Sequence, residues 1–320
     1  MKVSASDNVG TKPSQPVLLR RTPHCAIHHS SFSVGGVSFE LSGDSGQHVY
    51  TGDEIRQFQV TCSAAVIAIE INWADTLPAN RGKQVFDSGA TWKLFRNEGE
   101  SIFEFVTPRL GARPYRQMRV DQSLTHAEIF LNRSVLGNSG ISPLEYPVCE
   151  LLITNYLARY GLGVEVHGCG LVDRESGGHL FLGHSGAGKS TTARLWETFR
   201  DPEILSDDRI ILRVHNGEVW MYGTPWHGEA AFASPGKARL NRIHLLRHGT
   251  RNSFRALPNG QAVAEIFARS FPPFHSPQGL QCTIEFLQLA LSTIPCYEFQ
   301  FVPDRSAVKA VLDFQRSQLQ

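Results

Sequence analysis

Apolar and polar positions alternate through the first part of the chain. The longest alternation runs from Phe58 to Ala68, and from Ala65 the intervening positions turn apolar as well. A period of two residues is typical of β-strands, and apolar residues on both faces indicate a strand that is buried on both sides. Shorter alternating runs follow, separated by turn residues, and no helical period intervenes. The pattern predicts an all-β domain over residues 32–140, after a flexible polar leader over residues 1–31.

A helical period first appears after a polar linker at Asn138–Pro143. The predicted elements that follow are a helix over 144–160, strands over 164–172 and 179–182, a helix over 191–199, strands over 209–214, 218–222 and 243–246, helices over 262–271 and 280–294, a strand over 296–301 and a helix over 306–315. Asn216-Gly217, between two of these strands, is the strongest short hairpin signal. A doubly wound domain would place a helix there and return parallel. The sequence therefore predicts a mixed sheet, in an α+β or α/β domain over residues 141–320.

The segment Gly183–Ser190 matches the phosphate-binding pattern of two glycines around four free positions, followed by Lys and Ser. It lies between a predicted strand and a predicted helix, which is the context that this motif requires. Glycines let backbone N–H groups turn toward an anion, and the helix N-terminus adds partial positive charge. We expect Lys189 to reach the β and γ phosphates and the Ser190 hydroxyl to bind Mg²⁺. The predicted nucleotide-binding residues are Gly183, His184, Ser185, Gly186, Ala187, Gly188, Lys189, Ser190 and Thr191.

Paired carboxylates, Asp207 and Asp208, follow the next predicted strand. Such a pair suits the metal-binding partner of a phosphate loop. One carboxylate is expected to hold Mg²⁺, directly or through water, while the other accepts a proton from an attacking hydroxyl. The alternative is a turn rich in Asp with no role in catalysis. The complete phosphate loop just upstream favours the functional interpretation.

The loop Gly223–Glu229 places Trp, His and Glu side chains among glycines. We expect Glu229 to assist the metal and His227 to contact phosphate or the acceptor. The alternative is a structural turn in which Trp226 fills a gap in the core. The next loop, Ser234–Arg239, offers two cations that could stabilise charge on a transferring phosphoryl group, with a solvated basic loop as the alternative.

Composition narrows the range of partners. The 320 residues have a net charge of +1 and 41% hydrophobic residues, which gives no reason to expect a nucleic-acid or membrane partner. The longest apolar run, Ala64–Ile69, is too short for a membrane span, and Met1–Ser14 lacks the apolar core of a secretion signal. The 6 cysteines include no close pair, so we expect a reduced cytoplasmic protein. One basic cluster is predicted to form a solvated face, and it consists of Arg109, Arg113, Arg116 and Arg119.

From about residue 144 to its C-terminal end, the chain resembles the catalytic domain of HPr serine kinase/phosphorylase. The resemblance is closer to the HPr-kinase-related branch, whose members phosphorylate peptides or small metabolites and include kinases associated with lasso peptides. The matching motifs are Val166-His167-Gly168, Gly183–Ser190, Leu205–Arg209, Gly223–Glu229 and Pro295-Cys296-Tyr297. The leading β domain also resembles the usual N-terminal half of that branch. The Glu-Ala/Val-Arg-Gly signature of HPr kinases proper is absent, and Gly223–Glu229 stands in its place.

The resemblance implies the phosphate-loop fold and mixed sheet that this family shares with ATP-dependent phosphoenolpyruvate carboxykinase. It also implies that His167, Lys189, Ser190, Asp207 and Asp208 line an active site that uses ATP and Mg²⁺. In this family one Asp of the pair is the base that acts on the substrate serine. We assign Asp208 as the base and Asp207, with Ser190, as the metal partner, and the reverse order is the alternative. The resemblance also admits a homo-oligomer.

The sequence as a whole predicts a phosphotransferase that moves the γ-phosphoryl group of ATP to a hydroxyl, with a serine of a protein or peptide as the first choice of acceptor and a small hydroxyl compound as the second. The alternative is a nucleotide-dependent binding or assembly protein, which hydrolyses ATP slowly and holds a partner with its β domain. A carboxykinase-like metabolic enzyme is less favoured, because the chain is short and shows no evident set of oxaloacetate-binding arginines.

Overall fold

The computed structural model describes residues 29–43, 52–61, 64–137 and 142–318. It is a mixed α/β structure with two mixed sheets. The leader predicted over residues 1–31 lies almost entirely outside the described residues, although the first strand already begins at His29.

The helices are α1 (Asp53–Arg56), α2 (Arg133–Leu136), α3 (Val148–Arg159), α4 (Lys189–Arg200), α5 (Asn259–Phe267), α6 (Pro277–Leu291) and α7 (Arg305–Ser317). Strands β1 to β9 are His29–Val34, Val37–Gly43, Gln59–Val60, Ile67–Ala74, Lys83–Asp87, Trp92–Asn97, Glu100–Thr107, Gly111–Val120 and His126–Asn132. Strands β10 to β17 are Gly163–Asp173, Gly177–Leu182, Glu203–Ser206, Arg209–His215, Glu218–Tyr222, Lys237–His248, Ser253–Ala256 and Cys296–Phe301.

Strands β1 to β9 form the first sheet, in the order β3-β1-β2-β4-β9-β8-β7-β6-β5. Strand β4 runs parallel to β2 and to β9. Apolar side chains of β2, such as Phe39 and Leu41, point to one face and are buried there. Residues of α3, such as Leu152 and Ile153, join the same core, so this helix covers the buried face of the first sheet.

The prediction of one long strand from Phe58 to Ala68 is wrong. Only Gln59–Val60 forms β3, and β4 begins at Ile67. The expected burial on both sides is also wrong, because Ala68 is exposed while Ile67 is buried. The extra apolar residues on the outer face are small or, like Val66, left partly in water, and a folded protein tolerates such residues on its surface.

The second sheet has the order β11-β10-β13-β14-β15-β17-β16, with β12 paired to β10. Strand β10 pairs with β13 through its first half and with β11 through its second half. Because β15 pairs with both β14 and β11, these strands close on themselves. Strand β15 lies parallel to β11 and β17, and the other pairs are antiparallel, so the predicted mixed sheet is confirmed.

The hairpin signal at Asn216-Gly217 is also confirmed. Strands β13 and β14 pair antiparallel, with Arg213 opposite Trp220. Asn216 and Gly217 both have positive φ, 52° and 78°, as a two-residue turn between strands of right-handed twist requires. Arg213 also donates to the carbonyl of Gly36 at 2.9 Å, which joins the β1–β2 turn of the first sheet to the second sheet.

Helices cover the second sheet on two sides. Trp196 of α4 and Val308 of α7 share a core with Phe181 and Phe301. Ile266 of α5 and Leu287 of α6 belong to a separate core on the same sheet. The predicted helices exist, but their ends differ by up to four residues, and sequence reasoning missed β16 entirely. None of the described helices is both long and apolar enough to cross a membrane.

Two histidines are completely buried inside the second sheet. His179 and His244 approach each other at 3.2 Å between Nδ1 and Nε2, and His179 also bonds Ser176 at 2.9 Å through Nε2. Burial lowers the pKa of His179 to about 4 and holds that of His244 well below its usual value. Burial likewise lowers the pKa of His275, on the loop before α6, to about 4.

We expect stability to fall as the pH decreases from about 6.5 to 4, because histidine in an unfolded chain accepts a proton near pH 6.5 while these three do not in the folded one. Each buried histidine should remove about 1.4 kcal/mol of unfolding free energy per pH unit across that window. Thermal denaturation as a function of pH measures this. His275→Gln should flatten the dependence, while the same change at exposed His126 should not. A denaturation midpoint that stays constant over the window would contradict the explanation.

Candidate phosphate-binding site

The phosphate loop connects the end of β11 to the start of α4, as the motif predicts. Gly188 has a φ of 100°, and among the described residues no side chain caps α4, so the first N–H groups of this helix point toward the space in front of the loop. Lys189 folds back over the loop and donates from Nζ to the carbonyls of Gly183 and His184 at 3.0 and 3.1 Å. Burial lowers the pKa of Lys189, and the nearby carboxylate of Asp208 opposes that shift.

Basic residues that sequence reasoning missed lie near the tip of the loop. His248, at the end of β15, donates from Nε2 to the carbonyl of Gly186 at 2.9 Å. The charge of Arg269 is the main cause that lowers the pKa of His184, followed by burial and the charge of Arg247. These cations come from β15 and the end of α5, so only the tertiary fold brings them to the loop. His184, Ser185 and Gly186 are exposed, and Thr191 is partly buried in the first turn of α4.

Asp207 is completely buried at the end of β12, and both of its carboxylate oxygens accept two hydrogen bonds. The Ser190 hydroxyl donates to Oδ2 at 2.8 Å, and the Ala230 N–H donates to the same oxygen at 3.0 Å. The N–H groups of Gly228 and Phe232 donate to Oδ1 at 2.9 and 3.3 Å. Asp207 therefore ties the first turn of α4 to the loop over residues 227–232.

These donors suit a magnesium site of the phosphate-loop type. A serine hydroxyl that gives its proton to Asp207 leaves its lone pairs free for a cation. Since the oxygens of Asp207 already accept two bonds each, Ser190 is the residue placed for direct coordination, and Asp207 is placed to act through that hydroxyl or through water. Gly228 lies so close that a Cβ there would come within 2.7 Å of Asp207 Oδ2 and 3.3 Å of the Ser190 hydroxyl.

Asp208 has different surroundings. Its side chain is 24% exposed, and its Oδ1 lies 2.9 Å from His167 Nε2. Its Oδ2 lies 3.1 Å from Arg209 Nε. Burial alone would raise the pKa of Asp208, but the hydrogen bond from His167 and the charges of Arg209 and Lys189 outweigh it and lower the pKa. Asp208 is therefore an ionised carboxylate with access to solvent, beside the lysine of the phosphate loop.

Two further carboxylates lie behind Arg209. Glu165 of β10 is completely buried, at 3.8 Å from Arg209 Nε, and Glu150 of α3 lies 3.6 Å from Arg209 Nη1. Burial raises the pKa of both glutamates, that of Glu165 well above its usual value. The guanidinium of Arg209 also lies 3.7 Å from the centre of the Phe271 ring. The sequence signal for this cluster was Glu165, a charged residue inside the apolar run before His167, and the sequence analysis did not use it.

The loop predicted to carry His227 and Glu229 toward the reaction lies beside Asp207, but its backbone makes the contacts. The His227 and Glu229 side chains are exposed, and the carbonyl of Glu229 accepts from Arg194 at 2.9 Å. Trp226 is 9% exposed and belongs to the core that α3 and the first sheet share, which is the structural role considered as the alternative.

The predicted role of the loop Ser234–Arg239 in phosphoryl transfer is wrong. Lys237 and Arg239 belong to the first part of β15, where Arg239 forms an ion pair with Glu218 at 3.1 Å. Since β15 runs parallel to β11 and reaches Leu182 only at Leu245, its first residues lie at the opposite end of the sheet from the phosphate loop. 

A separate group of possible metal ligands lies on the outer face of the first sheet. The ligand atoms of Glu70, His126 and Glu128 all lie within 4.8 Å of one another. Glu70 and His126 are exposed, and such surface groups are common without a metal ion. We assign this group no role.

Comparisons with known proteins add little to this geometry. No family model matches the chain, and no curated protein matches it. Among solved structures, the HPr(Ser) kinase/phosphatase from Coxiella burnetii matches with 13% sequence identity and a TM-score of 0.30, over 48% of this chain and 97% of that chain. A likeness this weak supports no conclusion on fold or function.

Two glycines of the phosphate loop should respond differently to the same substitution. Gly186→Ala should cost about 1–2 kcal/mol, because its φ is positive but a Cβ would meet nothing within 4 Å. Gly188→Ala should cost a further 1–3 kcal/mol or so, because its Cβ would come within 2.4 Å of the Phe301 ring. Urea denaturation of the two variants measures the difference. Equal losses would mean that the ring moves aside freely.

Removing the cation between the buried glutamates should be costly. Arg209→Met should lower the unfolding free energy by about 3–5 kcal/mol at neutral pH, because Glu150 and Glu165 would lose the cation that balances them and would either hold unpaired buried charge or have to take up protons. The loss should shrink in acid, where the glutamates take up protons, and in the double variant with Glu165→Gln. Arg239→Met, which removes an exposed ion pair, should cost less than about 1 kcal/mol. Denaturant unfolding measures all of these, and equal effects of the two arginine variants would contradict the proposed charge balance.

Proposed function

We propose that this chain is an ATP- and Mg²⁺-dependent kinase that transfers the γ-phosphoryl group to a hydroxyl, with a serine of a protein or peptide as the acceptor. The observation that supports the proposal is that two adjacent carboxylates have different surroundings. Asp207 is saturated by four donors, including Ser190, whereas Asp208 keeps a solvent-accessible oxygen pair between His167 and Arg209. An ATP-binding loop alone needs only the first of these.

Phosphoryl transfer requires a base for the acceptor hydroxyl and positive charge around the phosphates. The acceptor oxygen forms a bond to the γ-phosphorus, and the bond from that phosphorus to the β,γ-bridging oxygen breaks, which releases ADP. Asp208 accepts the proton of the acceptor hydroxyl. His167 and Arg209 hold the carboxylate of Asp208 in position. Lys189 and the N–H groups at the start of α4 bind the phosphates, and Mg²⁺, when bound, neutralises part of their charge.

The likeness that the sequence motifs suggest, to the HPr-kinase-related branch, agrees with this assignment of roles. The resemblance implies that one Asp of the pair is the base without saying which, and the different surroundings of the two carboxylates support our order, with Asp208 as the base and Asp207, with Ser190, as the metal partner. ATP, Mg²⁺ and a cytoplasmic location belong to the same proposal. Glu229 and His227 remain candidates for contact with the acceptor, because both side chains are exposed beside the site.

Phosphoryl transfer from γ-labelled ATP into a host cell extract tests the proposal. Lys189→Ala should abolish labelling, because the phosphates lose their principal cation. Asp208→Asn should keep ATP binding and lower transfer by about 10²–10⁴-fold, which is the usual contribution of a general base. Asp207→Asn should weaken the dependence on Mg²⁺, because it disturbs the Ser190 hydroxyl.

Matched controls are available on α7, where Lys309→Ala and Asp313→Asn change exposed side chains of the same types. Both should behave like the unmodified protein. If the extract yields only free phosphate, or if Asp208→Asn labels as well as the unmodified protein, the kinase assignment is wrong. Slow hydrolysis alone would favour an ATP-dependent binding or assembly protein.

A further inference from the structure

A cavity of about 290 Å³ opens between the two sheets. Its walls are α1, the segment over residues 142–146, and Pro225-Trp226, and we call it the acceptor groove. Three carboxylates line it, those of Asp53, Glu54 and Glu145, and none of the described lining residues is basic. The remaining lining includes two aromatic rings, Tyr146 and Trp226, so the groove combines negative charge with flat apolar surface.

The acceptor groove is close to the reaction centre through two independent links. Trp226 stands two residues before Gly228, whose N–H binds Asp207, and its carbonyl accepts from the Ser206 hydroxyl at 3.0 Å. Tyr146 is near enough to the other carboxylates that its pKa is raised, first by partial burial and then by the charge of Glu150. The groove therefore shares its Trp226 wall with the loop that binds Asp207, and its Tyr146 wall lies within electrostatic reach of Asp208.

The wall of the groove is held in place by Arg116 of the first sheet, which is fully buried. The prediction that this arginine belongs to a solvated basic face is therefore wrong. Its Nη1 donates to the carbonyls of Pro143 and Glu145 at 2.8 and 3.2 Å. These bonds fix the segment that carries Tyr146, so the groove has one wall that is formed before any ligand binds.

The three carboxylates are not equally available. Asp53 forms a surface ion pair with Arg56 at 3.1 Å, and Glu145 lies 3.8 Å from the guanidinium of Arg116. Glu54 is exposed and has no ion-pair partner within the described ranges. Glu54 is thus the free charge of the groove, and an incoming cation would pair with it first.

We propose that the acceptor groove, on the basis of the kinase function proposed above, binds the acceptor as a peptide segment that carries an arginine close to the serine. A guanidinium matches this lining better than an ammonium does, because it is flat enough to stack on the exposed ring of Tyr146 and can bind a carboxylate through two N–H groups. The groove then selects the peptide by its arginine, while Asp208 acts on the serine hydroxyl.

Two labelled peptides test the proposal. Each is short and has one central serine, and they differ only in carrying arginines or glutamates beside it. Fluorescence anisotropy measures their binding to the full chain, and transfer of label from ATP measures phosphorylation. The arginine peptide should bind at least about tenfold more tightly than the glutamate peptide, which is the effect of one good charged contact. Glu54→Lys should remove this preference, whereas Asp313→Lys, with the same change of net charge on exposed α7, should not.

The outcomes separate the groove from the kinase reaction. Equal binding of the two peptides, or an unchanged preference in Glu54→Lys, would overturn the assignment of the groove. Selective binding without any transfer of label to peptide or cell extract would overturn the kinase assignment and with it the role of the groove as an acceptor site. Selective binding together with transfer to the arginine peptide is the result that we expect.

Discussion

The buried carboxylate of Asp207 is the constraint on which the rest of the site depends. A carboxylate out of contact with water needs donors for both oxygens, because an unpaired buried charge would cost several kcal/mol or more. Asp207 obtains four, from Ser190 on α4 and from the backbone of the loop over residues 227–232. The end of β12, the phosphate loop and the 227–232 loop are therefore held at one point. Gly228 permits this close approach, because a Cβ there would come within 2.7 Å of Asp207 Oδ2.

The same constraint separates the roles of two neighbouring aspartates. Asp207 and Asp208 form the two-residue bend between β12 and β13, where Asp207 is buried and the Asp208 side chain keeps 24% of its surface exposed. All four hydrogen bonds of the buried member, Asp207, join the first turn of α4 to the loop over residues 227–232. The other member keeps its charge because His167, Arg209 and Lys189 surround it, and these three come from β10, β13 and α4. The Arg209 guanidinium is largely buried, and the carboxyl groups of Glu150 and Glu165 lie beside it and balance its charge.

Local patterns could be predicted from the sequence, whereas contacts between distant elements could not. The strand–loop–helix unit around Gly183–Ser190, the hairpin at Asn216-Gly217 and the mixed sheet depend on short motifs with their own geometry, and the structure has all three. The prediction of one strand from Phe58 to Ala68 was wrong, because apolar periodicity does not distinguish a buried face from small residues at the surface. The burial of Arg116 had no local signal either, since its partners are carbonyls about thirty residues further along the chain. Of the candidate site, the loop residues and both aspartates came from motifs, and Arg269 and His248 became apparent only in the folded chain.

Arg116 also explains why the first sheet matters to a site that lies on the second. A buried guanidinium whose ion pair with Glu145 is as long as 3.8 Å is expensive to bury, and the burial lowers its pKa. The cost is offset because this arginine stacks near Tyr115 and Phe105 and satisfies two carbonyls of the segment before α3. That segment forms one wall of the acceptor groove, and α1 of the first sheet forms another. The second sheet contains the segment Gly183–Ser190 and both aspartates, but two of the three walls of the groove lie outside it. Under the proposed function, recognition of the acceptor would require both sheets, whereas binding of the nucleotide would require only the second.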